Sequence, residues 1–555
     1  MRVRVRLLSA LCALLIGASA ASAQVASSAS AQVDGYVTDN VQIPTRVHQL
    51  MAAAVSFPTS QGRRLPGPFP VILTYSPYCG ATAATQALWT SHEYVYAYVN
   101  MPGTCESEGR WTLYQKPADE AGYDIVEWLA AQSWSTGRVG MVGTSAAGIS
   151  QLHVAAEQPP HLVTINPTTG AMSIYNTFSP GGIPSTVDIP AAQAVSTASM
   201  YAPGVYGKPQ KSPEAAQHMI ETGDEVSPDQ LNAVLLLTHP LKDEWWTSRE
   251  VNPADIKVPM FVMDNWDDFY TADATLQYAA TSNPNNRLTM GGGGHAEPGP
   301  QYDITGQRVE WMDYWLKGVA NGEKQKIATA PIDYYGLGAD RWQTAKQWPP
   351  SRNTLTLRAA SGPSATGADG LLTAGRADNG SSQYAYVPGA STSVSQDGFA
   401  GGVAQLDQHG TATALTFATA PLDRDTEVTG EPTVNLRAAT NAHDTDWVVR
   451  VLDIAPDGSV SSSDNRYGTW IFTTKGQLRA SHRASHSYLV PVPANEPVDY
   501  SITLRPISYL FKKGDRIGLQ ITSADPTRNL DTPYPALNTI YHGSSLILPL
   551  GPASR

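Results

Sequence analysis

Three groups of residues in this chain could do chemistry together: a serine among small residues, a histidine behind a glycine run, and a cluster of aspartates. Ser145 sits in Gly143-Thr144-Ser145-Ala146-Ala147-Gly148, after the apolar residues Val139, Met141 and Val142. His295 directly follows Gly291-Gly292-Gly293-Gly294, and Asp264, Asp267 and Asp268 follow the apolar run at 258–263. A serine hydroxyl attacks a carbonyl only when a base takes its proton, and a histidine base needs a carboxylate to orient it. The chain order is Ser, Asp, His. Spacing alone does not choose among the three aspartates; the two not used are then loop charges or caps. Of the other histidines, His153 falls in the segment after the serine and His482 and His486 near the C-terminus, none of them behind a strand in this way.

The elements that would position these groups are legible around them. After Ser145, Ile149, Leu152 and Ala156 fall at helical spacing, so the segment reads as strand, sharp turn, helix. That is the nucleophile elbow of α/β-hydrolases, where small neighbours let the turn close and the next amide, here of Ala146, points at an incoming carbonyl. Buried-strand runs at 70–76 and 95–100, a helix over 117–134 and strands at 258–263 and 287–290 alternate as a mostly parallel sheet requires, and 307–317 reads as a further helix. Residues 171–250 break the rhythm and predict a helical lid. Its Tyr201, Tyr206, Trp245 and Trp246, with Trp266 beside the aspartates, are candidates for an aromatic substrate pocket or, equally, for core. Beyond about 335, short alternating strands at 354–358, 433–437, 447–453, 500–504 and 516–522 predict a β-sandwich of jelly-roll kind. The expected organisation is a signal peptide at 1–23, an α/β-hydrolase domain at 24–170 and 251–335, the lid at 171–250, and the jelly roll at 336–555.

Composition bounds the rest. At 555 residues the chain exceeds one hydrophobic core. A net charge of −12 and the absence of any Lys/Arg run exclude nucleic acid as a partner, since phosphate binding needs a basic face. Arg2, Arg4 and Arg6, the apolar stretch from Leu7 to Ile16 and Ala21-Ser22-Ala23 predict a signal peptide cleaved near Ala23 and a secreted or periplasmic protein. That stretch is shorter than the ~20 residues a membrane span needs. Cys79 and Cys105 then remain in an oxidising compartment, each just past a predicted strand, and are expected to pair. Metal-ligand clusters and cofactor motifs are absent from the sequence, so neither is predicted.

The chain resembles the cocaine-esterase/X-prolyl dipeptidyl-peptidase (CocE/NonD) family of serine hydrolases from about Val41 to the C-terminus. The resemblance rests on Pro70 to Tyr78, Ser107-Glu108-Gly109, Trp134 to Gly148, His239 to Trp245 and Lys257-Val258-Pro259, and in the last domain on Asp444 to Val449 and Gly476 to Ser481. The family carboxylate follows a Gly-Trp-x-Asp-x-aromatic pattern; read onto this chain it falls on Asp268, flanked by Trp266 and Tyr270, with Asn265 at the family glycine and Asp267 as the fallback. The resemblance also implies that Tyr78 joins the Ala146 amide in an oxyanion hole, and that Ser145 attacks an ester or amide carbonyl with His295 as base and Asp268 as its partner.

Two departures limit what the resemblance implies. The family's Asp-x-Arg-Gly reads Asn100-Met101-Pro102-Gly103 here, losing both charges, a loss the disulfide is a candidate to offset. The acidic residues that α-amino-acid ester hydrolases carry after the triad aspartate are replaced by Phe269, Tyr270 and Thr271, which disfavours that subclass. The implied substrate is a small ester or amide or a short peptide, with esters preferred. An X-prolyl dipeptidyl aminopeptidase would need acids beside the pocket, for which Glu106, Asp243 and Glu244 are the candidates. A β-lactam acylase, and a catalytically silent binding protein whose jelly roll contacts carbohydrate or a partner, complete the readings. Oligomeric state is not encoded legibly.

Overall fold

The computed structural model describes residues 32–109, 111–185, 238–268, 270–295, 299, 302–362, 370–388, 414–461, 463–465, 468–470, 473–525 and 530–552. The predicted signal peptide, Tyr201, Tyr206 and most of the predicted lid lie outside these residues.

The first half forms one sheet. Strands β1 (Gly35–Pro44), β2 (Leu50–Ser60), β3 (Arg63–Arg64), β4 (Phe69–Ser76), β5 (Val95–Asn100), β6 (Ser135–Thr144), β7 (Leu162–Thr168), β8 (Phe261–Asn265), β9 (Arg287–Gly291), β10 (Ile332–Gly336) and β11 (Arg341–Ala345) order as β1-β2-β5-β4-β6-β7-β8-β9-β10-β11, with β3 on β2. Neighbours from β5 to β10 are parallel, while β1/β2, β2/β5 and β10/β11 are antiparallel. The central strands read as unbroken Val, Ile, Leu and Met runs because both faces are covered; Val71, Ile72, Leu73, Val139 and Met141 are completely buried. β11 joins this sheet, so the sheet extends about ten residues past the expected boundary at 335.

The helices that matter for the site are α1 (Ala83–Ser91), α2 (Lys116–Ala130), α3 (Ala146–Ala156), α4 (Ile174–Phe178), α5 (Glu244–Thr247), α6 (Thr271–Ala280) and α7 (Ile304–Met312). The predicted helix at 307–317 begins earlier and widens into a π-helical turn at Asp313–Lys317. Proline at its start and Asp119 in its first turn set the N-terminus of α2, as the sequence predicts. From β4 the chain crosses to β5 on one side and then to β6 on the other. This reversal leaves a crevice at the carboxyl ends of β4 and β6, where open α/β sheets bind ligands.

Residues beyond Ala345 form a second, mainly antiparallel set of strands whose largest sheet also has eleven. It grips the hydrolase half: Gln477 Nε2 donates to the Pro180 carbonyl (3.0 Å), the Lys242 amide to His486 (2.9 Å) and the Leu530 amide to Pro184 (2.8 Å). The fold is therefore an α/β-hydrolase sheet followed by an all-β domain.

Candidate active site

Ser145 caps α3 directly after β6, with φ 60° and ψ −125° and no side-chain capping bond, so its hydroxyl is not spent on the helix. Backbone in this region costs about 1–3 kcal/mol and persists only where the surroundings over-determine it. Here they do. A Cβ on Gly143 would lie 2.5 Å from the Ala147 carbonyl oxygen, and one on Gly148 2.5 Å from that of Thr168. The Ser145 amide donates to the Thr168 carbonyl (3.0 Å) and to Thr169 Oγ1 (3.2 Å), tying the turn to β7.

The Ala146 amide, next along the chain, donates to the Tyr78 hydroxyl at 3.4 Å. Tyr78 reaches this place from the loop after β4, and that loop is clamped. Its carbonyl accepts from Tyr98 Oη (2.7 Å) and Asn100 Nδ2 (2.9 Å), and its amide donates to Ser76 Oγ (3.1 Å). The next residue, Cys79, is bonded to Cys105 across 5.6 Å between Cα atoms. Asn100 stands at the position of the family's aspartate, and its side chain and the disulfide both fasten the loop that carries Tyr78. Ser107 completes the support, donating to the Asn100 carbonyl (2.8 Å) and accepting from the Ala52 amide (2.9 Å).

His295 follows β9, and its Nδ1 meets Asp268 Oδ2 at 2.5 Å. Asp268 is fully buried, and its Oδ1 accepts from the Tyr270 amide (2.9 Å). Asn265, at the family's glycine, donates from Nδ2 to the Gly294 carbonyl (2.7 Å) and so holds the glycine run that carries His295. Asp267 is half-buried. Asp264 is buried, and burial, then the nearby charge of Asp268, push its carboxyl well above the usual carboxylate range.

Ser145, Tyr78 and His295 line one cavity of about 810 Å³ at the crevice between β4 and β6, walled by α1. Trp89, Tyr96 and Tyr98 are its aromatic lining; burial pushes the Tyr98 phenol up to about 12, so these hydroxyls stay neutral. Sequence reasoning missed them because they sit in strand and helix patterns that read as core. It also missed Arg308 of α7, which lines the cavity and whose helix carries no recognisable motif.

The three tryptophans offered as pocket residues lie elsewhere. Trp246 is fully buried, donates to the His239 carbonyl (2.9 Å) and packs edge-on against Tyr175 at 5.2 Å. Trp245 stacks on His239 and carries the Arg249 guanidinium 3.7 Å above its ring. Trp266 is buried, donates to the Tyr335 carbonyl (2.6 Å) and stacks on Trp348. Their large apolar surfaces fill the seams of the fold rather than the serine's cavity. Among the described lining residues there is likewise no Glu106, Asp243 or Glu244; Asp243 caps α5 instead.

Two family models match the chain: X-Pro dipeptidyl-peptidase (S15 family) over residues 49–297, and the X-Pro dipeptidyl-peptidase C-terminal non-catalytic domain over 325–546. Cocaine esterase of Rhodococcus sp. is 23% identical over 547 residues, covering 89% of this chain and 92% of that protein. A CocE/NonD family hydrolase from Staphylococcus aureus superposes with a TM-score of 0.73 at 19% identity, covering 93% of this chain and 97% of that one. An α-amino acid ester hydrolase superposes with a TM-score of 0.71 at 20% identity, over 96% of this chain and 100% of that one. At these identities the structural likeness speaks for the fold.

Proposed function

Since the chain belongs to the CocE/NonD family of serine hydrolases, we propose that it cleaves acyl esters through an acyl-enzyme formed on Ser145. The carrying observation is the convergence on one cavity of Ser145, His295 and the Tyr78–Ala146 contact. The 2.5 Å bond from His295 to the buried Asp268 fixes the imidazole tautomer, with Nδ1 donating to the carboxylate. Nε2 is then the nitrogen that takes the Ser145 proton as the hydroxyl attacks. The carbonyl oxygen becomes negative and displaces the Tyr78–Ala146 contact, so that phenol and amide both donate to it. His295 passes its proton to the leaving alcohol, and water then repeats the sequence on the acyl-enzyme.

Ester is preferred to prolyl peptide on charge. A dipeptidyl-peptidase must hold the substrate's ammonium, which calls for a carboxylate in the pocket, and the described lining residues include none. The family model's name keeps the peptidase as the second reading. Export is proposed on the N-terminal basic and apolar segment with its Ala21-Ser22-Ala23 site, together with the Cys79–Cys105 disulfide. The test compares a short-chain 4-nitrophenyl ester with Gly-Pro-4-nitroanilide on purified mature protein. Ester turnover that disappears in Ser145→Ala supports the proposal, whereas faster release from the anilide replaces it with the peptidase.

A further inference from the structure

The cavity beside Ser145 contains one fixed cation, Arg308, and no carboxylate among its described lining residues. Nε of Arg308 donates to Asn166 Oδ1 (2.9 Å), and Nη2 to Thr168 Oγ1 (2.6 Å) and, more weakly, to Thr144 Oγ1 (3.5 Å). All three acceptors are neutral, and no bond from Nη1 joins them among the described residues. The site is next to the reacting group: Thr144 precedes Ser145, and Thr168 accepts the Ser145 amide. Burial pulls the guanidinium down to about 10, so it remains a cation at neutral pH.

Arg308 is half-buried; a fully buried guanidinium elsewhere shows what the fold does when an arginine is purely structural. Arg287, fully buried on β9, has Glu323 at 2.7 Å and Asp333 at 3.0 Å. Its charge is neutralised twice. Among the described residues Arg308 has no such partner, yet it faces a cavity large enough for a small organic molecule. A half-buried cation whose described partners are all neutral gives up water without gaining a counter-charge, and a ligand carboxylate supplies that charge in a geometry that a guanidinium matches.

We infer that Arg308 is a specificity-determining anchor for a carboxylate, and that the preferred ester carries one free carboxylate besides its scissile group. This rests on the reading of Ser145 as the nucleophile of an esterase. The rival is that Arg308 only ties β6 to β7 through Thr144, Asn166 and Thr168.

Two ester pairs test it, one for each side of the scissile bond. Mono-4-nitrophenyl pimelate against 4-nitrophenyl heptanoate places the carboxylate on the acyl side; 4-acetoxybenzoate against its methyl ester places it on the leaving side. In the wild-type enzyme the anionic member of at least one pair is expected to be favoured about 10-fold in kcat/KM, mainly through KM. The chain's net charge of −12 opposes such a preference, so general attraction cannot produce it. Arg308→Gln should collapse the ratio towards one, and Arg308→Lys should restore part of it. A tether alone would lower both members of a pair equally. A wild-type ratio below about two in both pairs overturns the inference without need of any variant. Calorimetric titration of Ser145→Ala protein with pimelate and with 4-hydroxybenzoate separates the two layers of the argument. Binding lost in the added Arg308→Gln background supports the anchor even if no ester is turned over, and no binding of either probe, with no ester turned over, overturns it.

Discussion

The crevice at Ser145 and the seam under Trp246 are both rich in aromatic side chains, and they are built on opposite principles. At the seam, rings of Tyr175, Phe178, Trp245 and Trp246 meet edge to face, and the Trp246 N–H is bonded to a carbonyl. Packing is the purpose there. At the crevice, the backbone of Ser145 is strained, the Tyr78 hydroxyl accepts a long 3.4 Å bond, and a guanidinium whose described partners are all neutral faces a cavity. Unsatisfied polar atoms do not make the difference, since the seam's Tyr175 hydroxyl has no partner among the described residues; backbone strain and a cation beside an open cavity mark the place that a ligand finishes. Substitutions at the crevice should therefore change rates and spare stability; those at the seam should do the reverse.

The largest effect should come from Asp268→Asn, which keeps the shape but presents an amide to His295 Nδ1. It is expected to lower kcat by on the order of 10⁴-fold with little change in Tm, as for a wrong imidazole tautomer. Asp264→Asn sharpens the point. Asp264 already has its charge suppressed by burial and by Asp268, so the amide should cost less than about 10-fold in kcat by this reasoning. Steady-state ester kinetics on both variants would break the assignment if Asp264→Asn proved the more damaging.

Trp246→Ala should sit on the other side of the comparison. Removing a completely buried tryptophan costs about 3–5 kcal/mol, read by denaturant or thermal unfolding. Turnover of the folded fraction should stay within a few-fold, because the ring does not line the serine's cavity. A selective loss of kcat/KM with unchanged stability would return Trp246 to the substrate pocket.

Tyr78→Phe should cost about 10²-fold in kcat, or ~3 kcal/mol, with KM and Tm nearly unchanged, since the lost hydroxyl acts on charge that develops only in the transition state. Unaltered kcat would remove Tyr78 from the mechanism.

Much of this division is legible in the sequence, and the remainder is hidden for physical reasons. The elbow can be read because a strained turn demands small residues at Gly143 and Gly148, a local constraint. The parallel sheet can be read because strands buried on both faces need continuous apolar runs such as 70–76 and 95–100. The choice of Asp268 over its neighbours needed the family pattern, because three aspartates on one loop differ only in where tertiary packing aims them. Pocket aromatics stay ambiguous in the sequence for a related reason. Burial of a ring has the same sequence signature whether the neighbour is a core side chain, as for Trp246, or a cavity, as for Tyr98. Arg308 had no signal at all, since what distinguishes it is that no carboxylate lies among the described residues lining its cavity.

The smallest expected effect lies where the two principles meet, at the Cys79–Cys105 bridge. The bond closes a loop with a sequence separation of 26, for which chain entropy gives about 3 kcal/mol of stability. On that ground it belongs with the seam. It also follows Tyr78 directly, and the Tyr78 carbonyl is independently held by Tyr98 and Asn100. With those two bonds intact, the phenol should keep its place in the folded protein after Cys79→Ser/Cys105→Ser. The double variant is expected to unfold at lower denaturant concentration while kcat falls no more than a few-fold. If kcat instead fell as far as in Tyr78→Phe, with a normal Tm, the bridge would be a positioning device for the oxyanion donor rather than a staple. Asn100→Ala made in the double variant would then show whether the clamp on the loop is shared, through a loss larger than the two changes made separately.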